Sequence, residues 1–373
     1  MNKRIAILTS SRADFGIYLP LLFALQKDSF FSFKIIAFGT HLSLEHGYTI
    51  SEIEKEGFII DYKLYAAQNS NNQQGISENY AEYAKLFSSF WGVHAKEFDL
   101  VFALGDRYEM AAAVMSSIPF GIKIAHIHAG ETTLGAIDNV YRHCITLASS
   151  ICFTSTDIYT EKVNQLTENS IPVYNVGALS LDGIENIDLP SQIELENQFK
   201  LDFSKPLILV VMHPETIEPH KNGFYINELL DAIELLPEYN YAINLPNSDT
   251  NAFIIRDAIL KFKDKNLTNK YISVIEHFGK RNYFACMKYA SLIIGNSSSG
   301  IIEAASFQKY VLNIGLRQKG RAMGENIINC EFDKFSIMDK IITSISIGKY
   351  SGYNIYKNNK DVALTILNCL KIN

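Results

Sequence analysis

Short apolar runs alternate with amphipathic segments of helical length along most of the chain. In the first half these runs are almost continuous in Val, Ile, Leu, Phe and Ala, as is typical of strands covered on both faces. The expected strands are 5–8, 34–38, 100–104, 122–126, 151–153 and 173–176, and the expected helices are 17–27, 77–96, 107–117 and 138–148. This alternation predicts a parallel, doubly wound sheet.

The same rhythm restarts after residue 180. Leu189-Pro190-Ser191 is expected to form a turn that opens a helix. Strands are expected at 207–212, 241–245, 272–275, 292–294 and 311–314. Residues 361–370 are expected to form an amphipathic helix. A length of 373 residues also favours two domains. We therefore predict two Rossmann-like doubly wound α/β domains, 1–179 and 180–356, with a C-terminal helix at about 357–373 that packs back on the first.

Polar residues follow the ends of the expected strands in both halves. Ligands of open α/β sheets bind beyond these ends, so the pattern predicts two sheet edges that face each other across a cleft. In the first half the segments are 10–16, 39–41, 105–107 and 126–131, and in the second they are 213–214, Asn247, 295–300 and 315–317.

The segment Gly295-Asn296-Ser297-Ser298-Ser299-Gly300 lies between an expected strand and an expected helix. Unpaired N–H groups at a helix N-terminus and two glycines make a phosphate cradle. No Lys follows the second glycine, so this is not a Walker loop. The alternative is a tight turn with an ordinary serine cap.

Two residues in the first half have both a chemical and a structural interpretation. Arg12, at the first strand–helix turn, fits an anion contact or a surface pair with Asp14. Asp106 fits a carboxylate held for acid–base chemistry or an N-cap followed by a solvated Arg107.

The segment after the fourth strand contains candidate proton-transfer groups. We expect His126 to be a hydrogen-bonded core histidine, whereas His128 and Glu131 follow the strand and fit cleft donors or acids and bases. Asp138 and Arg142 are four residues apart, so spacing alone favours a pair on one helix face.

In the second half, His213 fits a contact to a phosphate or sugar oxygen, or the cap of the next turn. Arg317, with Lys319 and Arg321, fits either a diphosphate clamp or a solvated basic loop. Glu303, on the helix after the cradle, can accept hydrogen bonds from ribose hydroxyls.

Composition narrows the functional classes. The net charge is −6 and no basic stripe is present, which argues against a nucleic-acid partner. Five widely spaced cysteines show neither a disulfide framework nor metal-ligand spacing, and no apolar run is long enough to cross a membrane. We therefore expect a cytoplasmic protein that uses no metal. No Gly-x-Gly-x-x-Gly fingerprint follows the first expected strand, which argues against NAD as a cofactor.

Motifs from both halves occur in one order along the chain: Ser11-Arg12-Ala13-Asp14, Gly39-Thr40-His41-Leu42, Gly105-Asp106-Arg107, Ala136-Ile137-Asp138, Arg142-His143, His213-Pro214, the 295–300 segment and Gly324-Glu325-Asn326. Together they resemble the hydrolysing UDP-N-acetylglucosamine 2-epimerases of sialic-acid biosynthesis. Arg12-Ala13-Asp14 and Gly105-Asp106-Arg107 resemble this branch more than the non-hydrolysing one.

The resemblance implies a glycosyltransferase-B-like fold with UDP bound between the domains, no cofactor, and a homodimer or homotetramer. It also implies conversion of UDP-GlcNAc to UDP and N-acetylmannosamine through a 2-acetamidoglucal intermediate. The candidate catalytic residues are Asp106, His128, Glu131, Asp138 and Arg142. The candidate UDP-sugar-binding residues are Arg12, His213, Asn247, His277, Gly295, Ser297, Ser298, Glu303 and Arg317.

Three alternatives remain open from the sequence. Many relatives of the family carry Glu where this chain has His128. Either His128 or Glu131 then takes over the acid–base role of that Glu, or the substitution reflects a different sugar. The sugar of the legionaminic-acid route, UDP-2,4-diacetamido-2,4,6-trideoxyglucose, is such a substrate. A glycosyltransferase of the same fold would use a similar diphosphate cradle. A UDP-sugar sensor would bind without turnover.

Overall fold

The computed structural model describes residues 2–43, 48–67, 72–246, 251–266, 271–358 and 360–372. The chain forms two compact units. The first comprises Met1–Glu131, Ile137–Gly183 and Tyr356–Asn373, and the second comprises Thr132–Ala136 and Ile184–Ile355.

The first unit is built on a seven-stranded parallel sheet in the order β3-β2-β1-β4-β5-β6-β7. Its elements are β1 (Lys3–Thr9), α1 (Arg12–Lys27), β2 (Phe31–Ala37), α2 (Ile50–Lys55), β3 (Tyr62–Lys63), α3 (Gln73–His94), β4 (Leu100–Leu104), α4 (Tyr108–Met115), β5 (Ile124–Ile127), α5 (Asp138–Leu147), β6 (Ile151–Thr154), α6 (Asp157–Leu166) and β7 (Val173–Asn175). The six strands expected in this half are present, and the short β3 was not expected.

Both faces of this sheet are covered, which explains why its strands are apolar throughout. Alternate residues of a strand point to opposite faces. Ile5 and Ile7 accordingly belong to one apolar core, together with residues of α1, whereas Ala6 and Leu8 belong to another core with residues of α3 and α4. The arrangement leaves the strand ends as the place for polar chemistry.

The second unit repeats the design with a six-stranded parallel sheet in the order β10-β9-β8-β11-β12-β13. Its elements are α7 (Gln192–Phe199), β8 (Leu207–Val211), α8 (Asn222–Glu234), β9 (Asn240–Asn244), α9 (Ala252–Lys265), β10 (Ile272–Ile275), α10 (Lys280–Tyr289), β11 (Leu292–Gly295), α11 (Ser298–Glu303), β12 (Val311–Ile314), β13 (Ile327–Cys330) and α12 (Lys334–Ile347). The five strands expected here are present, and β13 is additional. The predicted fold class of two doubly wound α/β domains is therefore confirmed.

The last helix, α13 (Val362–Ile372), belongs to the first unit. Its first N–H groups, those of Val362 and Ala363, donate to the two carboxylate oxygens of Asp182 at 3.0 and 2.9 Å. At its other end Lys371 forms an ion pair with Asp28, which follows α1. The apolar face of α13 is thereby fixed in the same core as α1.

The segment Thr132–Ala136 groups with the second unit, although it lies inside the range expected for the first domain. The Leu134 N–H donates to the Lys319 carbonyl at 2.8 Å. A Cβ at Gly135 would lie 2.3 Å from the Leu316 carbonyl oxygen, so only glycine allows this close passage.

All five cysteines are free thiols. Within the described part of the chain, no helix combines the length and the apolar character that a membrane span requires.

Candidate active site

A strained turn follows β5 in the first unit. His128 has a φ of 62°, in the left-handed region that few non-glycine residues adopt, and Gly130 has a φ of 75°. A Cβ at Gly130 would lie 2.6 Å from Val163 Cγ2 on α6, so the turn is tightly packed as well. The turn brings the side chains of His128 and Glu131 together.

His128 and Glu131 form a buried hydrogen-bonded pair. His128 Nδ1 lies 2.6 Å from Glu131 Oε1, and the Ser155 hydroxyl donates to the same oxygen at 2.8 Å. His128 Nε2 is buried and has no hydrogen-bond partner among the described residues. If Nδ1 carries the proton that Glu131 accepts, Nε2 is left with a lone pair. This is the arrangement of a general base oriented by a carboxylate.

Arg142, on α5, connects this pair to the end of β4. Its guanidinium donates to the Glu131 backbone oxygen at 2.9 Å and forms an ion pair with Asp106. Arg142 is almost fully buried, whereas the Asp106 side chain is one-quarter exposed. The N-cap of α4 is Arg107, so Asp106 does not have the N-cap role considered from the sequence. Its carboxylate instead lies at the sheet edge, facing Arg142.

Asp138 is the first residue of α5 and is half-buried. Arg107, which the sequence suggested to be solvated, donates to the fully buried Glu109 at 3.2 and 3.3 Å. Several charged groups therefore lie at the carboxyl edge of the first sheet.

His126 is the core histidine that the sequence predicted. It is fully buried, and its Nε2 lies 2.9 Å from the Gly105 carbonyl oxygen while Nδ1 lies 3.1 Å from the Thr146 hydroxyl. Burial lowers the pKa of His126 to about 4, so the ring is neutral near pH 7. His126 therefore supports the end of β4 and is not a candidate for proton transfer.

Arg12 is the first residue of α1 and is half-buried. Its Nη1 atom lies 3.9 Å from Glu52 Oε1. The carboxylate of Asp14 accepts hydrogen bonds from the Ser10 N–H and hydroxyl at 3.0 and 2.6 Å. Burial raises the pKa of Asp14 above its ordinary value. Asp14 thus shapes the turn that presents Arg12.

In the second unit, one amide side chain joins the ends of two neighbouring strands. Asn296 Oδ1 accepts the His213 N–H at 2.7 Å, and Asn296 Nδ2 donates to the His213 carbonyl at 2.8 Å. His213 follows β8 and Asn296 follows β11, and the strand order reverses between these two strands. Such a switch point is the usual ligand site of an open α/β sheet. Asn296 therefore sets the position of His213.

The serine-rich turn combines a helix cap with a small polar network. Ser297 caps α11 and its hydroxyl accepts the Ser299 N–H at 3.3 Å. Ser298 is the first residue of the helix. The Ser299 hydroxyl lies 2.6 Å from the Glu303 carboxylate and 3.0 Å from the Tyr283 hydroxyl. The cap interpretation is thus confirmed, and it is compatible with an anion site at the same turn.

The loop after β12 is fixed by a buried carboxylate. Glu215 Oε1 accepts the N–H groups of Leu316 and Arg317 at 2.7 and 3.2 Å. The Asn296 carbonyl accepts from Gln318 at 2.9 Å and from the Arg317 guanidinium at 3.4 Å. Burial raises the pKa of Glu215. Arg317 is thereby held next to the serine-rich turn.

Three further candidates, Gly295, His277 and Asn247, belong to the second half of the chain. Gly295, the last residue of β11, has a φ of 129°, and a Cβ there would lie 2.0 Å from the Val211 carbonyl oxygen. His277 is exposed just after β10. Asn247 lies outside the described residues. No cluster of three or more His, Cys, Asp or Glu side chains suited to a metal ion occurs in the described ranges.

A profile described as UDP-N-acetylglucosamine 2-epimerase matches residues 23–362. The chain belongs to this family. The GDP/UDP-N,N'-diacetylbacillosamine 2-epimerase (hydrolyzing) of Campylobacter jejuni is 34% identical over 89% of this chain and 86% of that protein. The polysialic acid biosynthesis protein P7 of Escherichia coli is 32% identical over 96% and 91% of the two chains. The UDP-N-acetylglucosamine 2-epimerase of Neisseria meningitidis is 28% identical over 93% and 89%.

Solved structures of the epimerase family show the same fold. A Neisseria meningitidis UDP-GlcNAc 2-epimerase bound to UDP-GlcNAc gives a TM-score of 0.79 with 18% identity, over 99% of this chain and 100% of the other. The Staphylococcus aureus MnaA–UDP structure gives 0.79 with 17% identity, over 100% and 96%. At these identities the likeness establishes the fold, which is glycosyltransferase-B-like.

Four residues of this epimerase-family chain hold candidate residues in place within their own unit and were given no role from the sequence. They are Ser155, Glu215, Asn296 and Gln318, whose side chains bond other candidate residues or their loops. Asn296 lies inside the serine-rich 295–300 segment, and Glu215 comes two residues after His213. Each is buried, and burial of a polar side chain at a strand end is the signal that points to a positioning role.

Proposed function

We propose that this chain is a hydrolysing 2-epimerase that converts UDP-GlcNAc into UDP and N-acetylmannosamine. The observation that carries the proposal is the buried His128–Glu131 pair, which leaves His128 Nε2 as a proton acceptor. Abstraction of a sugar C–H proton needs a base of this kind. Membership of the epimerase family supplies the reaction class.

In the proposed reaction, His128 Nε2 takes the proton from C2 of the sugar. The C–H electron pair forms the C1–C2 double bond, and the bond from C1 to the diphosphate oxygen breaks, so that UDP leaves with that electron pair. Water then adds its oxygen to C1 while C2 accepts a proton on the opposite face. The proton that water loses passes to the carboxylate of Asp106, which is oriented by Arg142 and is our candidate to deliver it to C2, and His128 releases the proton it took to solvent.

The second unit supplies groups that suit the leaving UDP. Arg317, the N–H groups of the turn at Ser297 and Ser298, and His213 fit a diphosphate, because charge develops on it as the bond breaks. Glu303 fits the ribose hydroxyls, with Ser299 and Tyr283 beside it. The proposal requires both units to act on one substrate molecule.

A second substrate is favoured by a specific observation. The relatives from Campylobacter jejuni and Legionella pneumophila, at 34% and 29% identity, are described as hydrolysing N,N'-diacetylbacillosamine 2-epimerases. Their sugar has the same acetamido group at C2, so the same proton chemistry would apply to it. UDP-N,N'-diacetylbacillosamine is therefore the alternative substrate.

Incubation of the protein with each UDP-sugar in heavy water, followed by NMR, tests the proposal. We expect UDP-GlcNAc to give UDP and free N-acetylmannosamine with one deuterium at C2. If only the diacetamido sugar turns over, the substrate assignment is wrong and the proposed mechanism still applies. UDP release that needs an added acceptor would indicate a glycosyltransferase, and binding without turnover would indicate a sensor.

A further inference from the structure

Ser155 lies at the sheet edge between the end of β6 and the N-cap of α6, Thr156. β6 is the direct neighbour of β5, with Ile127 paired to Phe153, and the Ala129 N–H donates to the Phe153 carbonyl at 3.2 Å. The two strand ends therefore bring Ser155 close to the turn that carries His128 and Glu131.

The hydroxyl of Ser155 and the ring of His128 share one oxygen atom of Glu131. Ser155 Oγ donates to Glu131 Oε1 at 2.8 Å, and His128 Nδ1 lies 2.6 Å from the same atom. The three residues are almost fully buried, with 2% of Ser155, 3% of Glu131 and 7% of His128 exposed. Water therefore has little access to replace the serine hydroxyl as a donor.

Two donors on one oxygen restrict rotation of the Glu131 carboxylate. The backbone of Glu131 is fixed separately, because Arg142 donates to its carbonyl at 2.9 Å. With both the main chain and the carboxylate held, Oε1 faces His128 Nδ1 in one orientation. An acceptor at this place favours the tautomer with its proton on Nδ1, which leaves Nε2 free to accept a proton.

We propose that Ser155 is a positioning residue for the reaction, acting through Glu131 to hold His128 in the Nδ1–H tautomer. This inference rests on the proposed function in that His128 is the base. Ser155 itself does not touch the substrate in this scheme. Its contribution is to keep the carboxylate, and hence the imidazole, in the orientation that catalysis needs.

The test compares Ser155→Ala with Ser155→Thr, which keeps a hydroxyl. The matched control is Ser149→Ala, because Ser149 is another buried serine of the first unit and its hydroxyl donates to the Ile145 carbonyl at 2.7 Å. Loss of a hydrogen bond to a carboxylate should lower kcat by about tenfold in Ser155→Ala, while KM changes by less than about threefold. Ser155→Thr should recover most of the rate, and Ser149→Ala should keep it.

A second measurement does not depend on turnover. Nitrogen-15 NMR of histidine-labelled protein reports which ring nitrogen carries the proton, and the His128 signals are those that disappear in His128→Asn. We expect the Nδ1–H tautomer in the unaltered protein and a mixture of tautomers in Ser155→Ala. If Ser155→Ala keeps both the rate and the single tautomer, the positioning role is wrong.

The two measurements separate the failure of this inference from the failure of the proposed function. If the unaltered protein turns over neither UDP-sugar, the proposed function is wrong, and the NMR comparison still decides whether Ser155 fixes the tautomer. If turnover occurs but Ser155→Ala matches Ser149→Ala in both rate and spectra, only the positioning role is lost.

Discussion

His128 is subject to two constraints, one on its backbone and one on its ring. Its φ of 62° disfavours most side chains, although Asn and Asp tolerate this region better than others. Its ring is bound at Nδ1 by Glu131 and buried at Nε2. A variant that tests the ring must therefore preserve the backbone, which makes asparagine a better replacement than alanine.

His128→Asn should lower kcat by about a hundredfold or more, because loss of a positioned base typically costs that much. UDP affinity should remain within about threefold, since His128 is not a candidate UDP contact and, apart from Arg12, the UDP candidates lie in the second unit. The rate is measured by NMR and the affinity by calorimetry. His220→Asn, at an exposed histidine, serves as the control. Near-normal turnover in His128→Asn would assign the proton transfer elsewhere, with Glu131 the first candidate.

Arg317→Met should weaken UDP binding by about ten- to a hundredfold, because hydrogen bonds between charged groups contribute more than neutral ones. The loop should keep its shape, since Glu215 binds the backbone N–H groups of Leu316 and Arg317, which the substitution leaves in place. Calorimetry with UDP checks this. The control is Lys319→Met, which removes an exposed charge from the same loop. An equal loss in both variants would mean that general charge, and not a diphosphate contact, accounts for binding.

At the residue scale, the sequence supplied the candidate chemical groups but did not indicate the residues that hold them. His128 and Glu131 could be expected at a strand end because strand periodicity is visible in the sequence. Their pairing through one carboxylate oxygen depends on a turn with a left-handed histidine, which periodicity does not encode. Ser155 and Glu215 owe their positions to neighbouring strands that are distant in sequence.

At the element scale, strand order explains why two sheet edges concentrate polar residues. In each sheet the first strand of the unit lies next to the fourth, β1 beside β4 and β8 beside β11, and the order reverses between them. The loops there diverge to opposite faces and leave space beyond the strand ends. The turn after β11 uses this space, and Gly295 is the residue that allows it.

Gly295→Ala should destabilise the second unit by about 3 kcal/mol or more, because both the φ of 129° and the Val211 carbonyl 2.0 Å from a Cβ oppose a side chain. UDP affinity should fall with it. Thermal unfolding and calorimetry measure the two effects. Gly223→Ala is the matched control: it lies in α8 with no atom within 4 Å of its Cβ position, so it should be neutral or slightly stabilising. A Gly295→Ala protein as stable as the parent would show that the turn tolerates a side chain.

Element boundaries show where sequence patterns lose information. α1 begins at Arg12 and not at residue 17, because Ser11 caps it and the first turn carries polar residues that the apolar pattern does not register. β3 has two residues and β13 has four, and neither stands out as an apolar run. By contrast, Leu189-Pro190-Ser191 was expected to form a turn that opens a helix, and α7 begins directly after it, with a capping box between Ser191 and Glu194.

At the scale of the whole molecule, buried neutral histidines make stability depend on pH. His41 and His126 are both fully buried, and burial lowers the pKa of each to about 4. Between about pH 6.5 and 4 the unfolded chain therefore binds a proton at each position that the folded protein does not. Stability is lost as the pH falls through this window, by up to about 3 kcal/mol per histidine.

We expect the midpoint of thermal unfolding to fall between about pH 7 and about pH 4.5, and this fall should be smaller in His41→Gln and in His126→Gln than in the unaltered protein. Each glutamine can keep part of the hydrogen bonding without a group that titrates in this range. Carboxylates contribute equally to the pH dependence of the unfolding midpoint in the parent and in each variant. Their contribution therefore cancels when the two proteins are compared at both pH values. An unchanged acid sensitivity in both variants would show that the histidines are not its source.

The division into two units could be anticipated from length and from the repeated strand rhythm. The membership of Thr132–Ala136 in the second unit could not, because it depends on contacts with residues near 316–320 that lie far away in the sequence. Glycine at 135 is the one local sign, and glycine is common in loops of every kind, so it does not indicate which unit the loop joins.

The two hydrogen bonds of the Asn296 side-chain amide also affect its resistance to deamidation. Deamidation begins when the backbone nitrogen of the next residue attacks the side-chain carbonyl carbon, which requires the amide to rotate freely. In the folded protein Asn296 is fully buried, and both its oxygen and its nitrogen are bound to His213. The folded state therefore protects this amide from chemical damage, whereas an unfolded chain exposes it. A single deamidation there would replace the donor to His213 with a carboxylate, so that prolonged unfolding would leave a permanent lesion in the candidate UDP site.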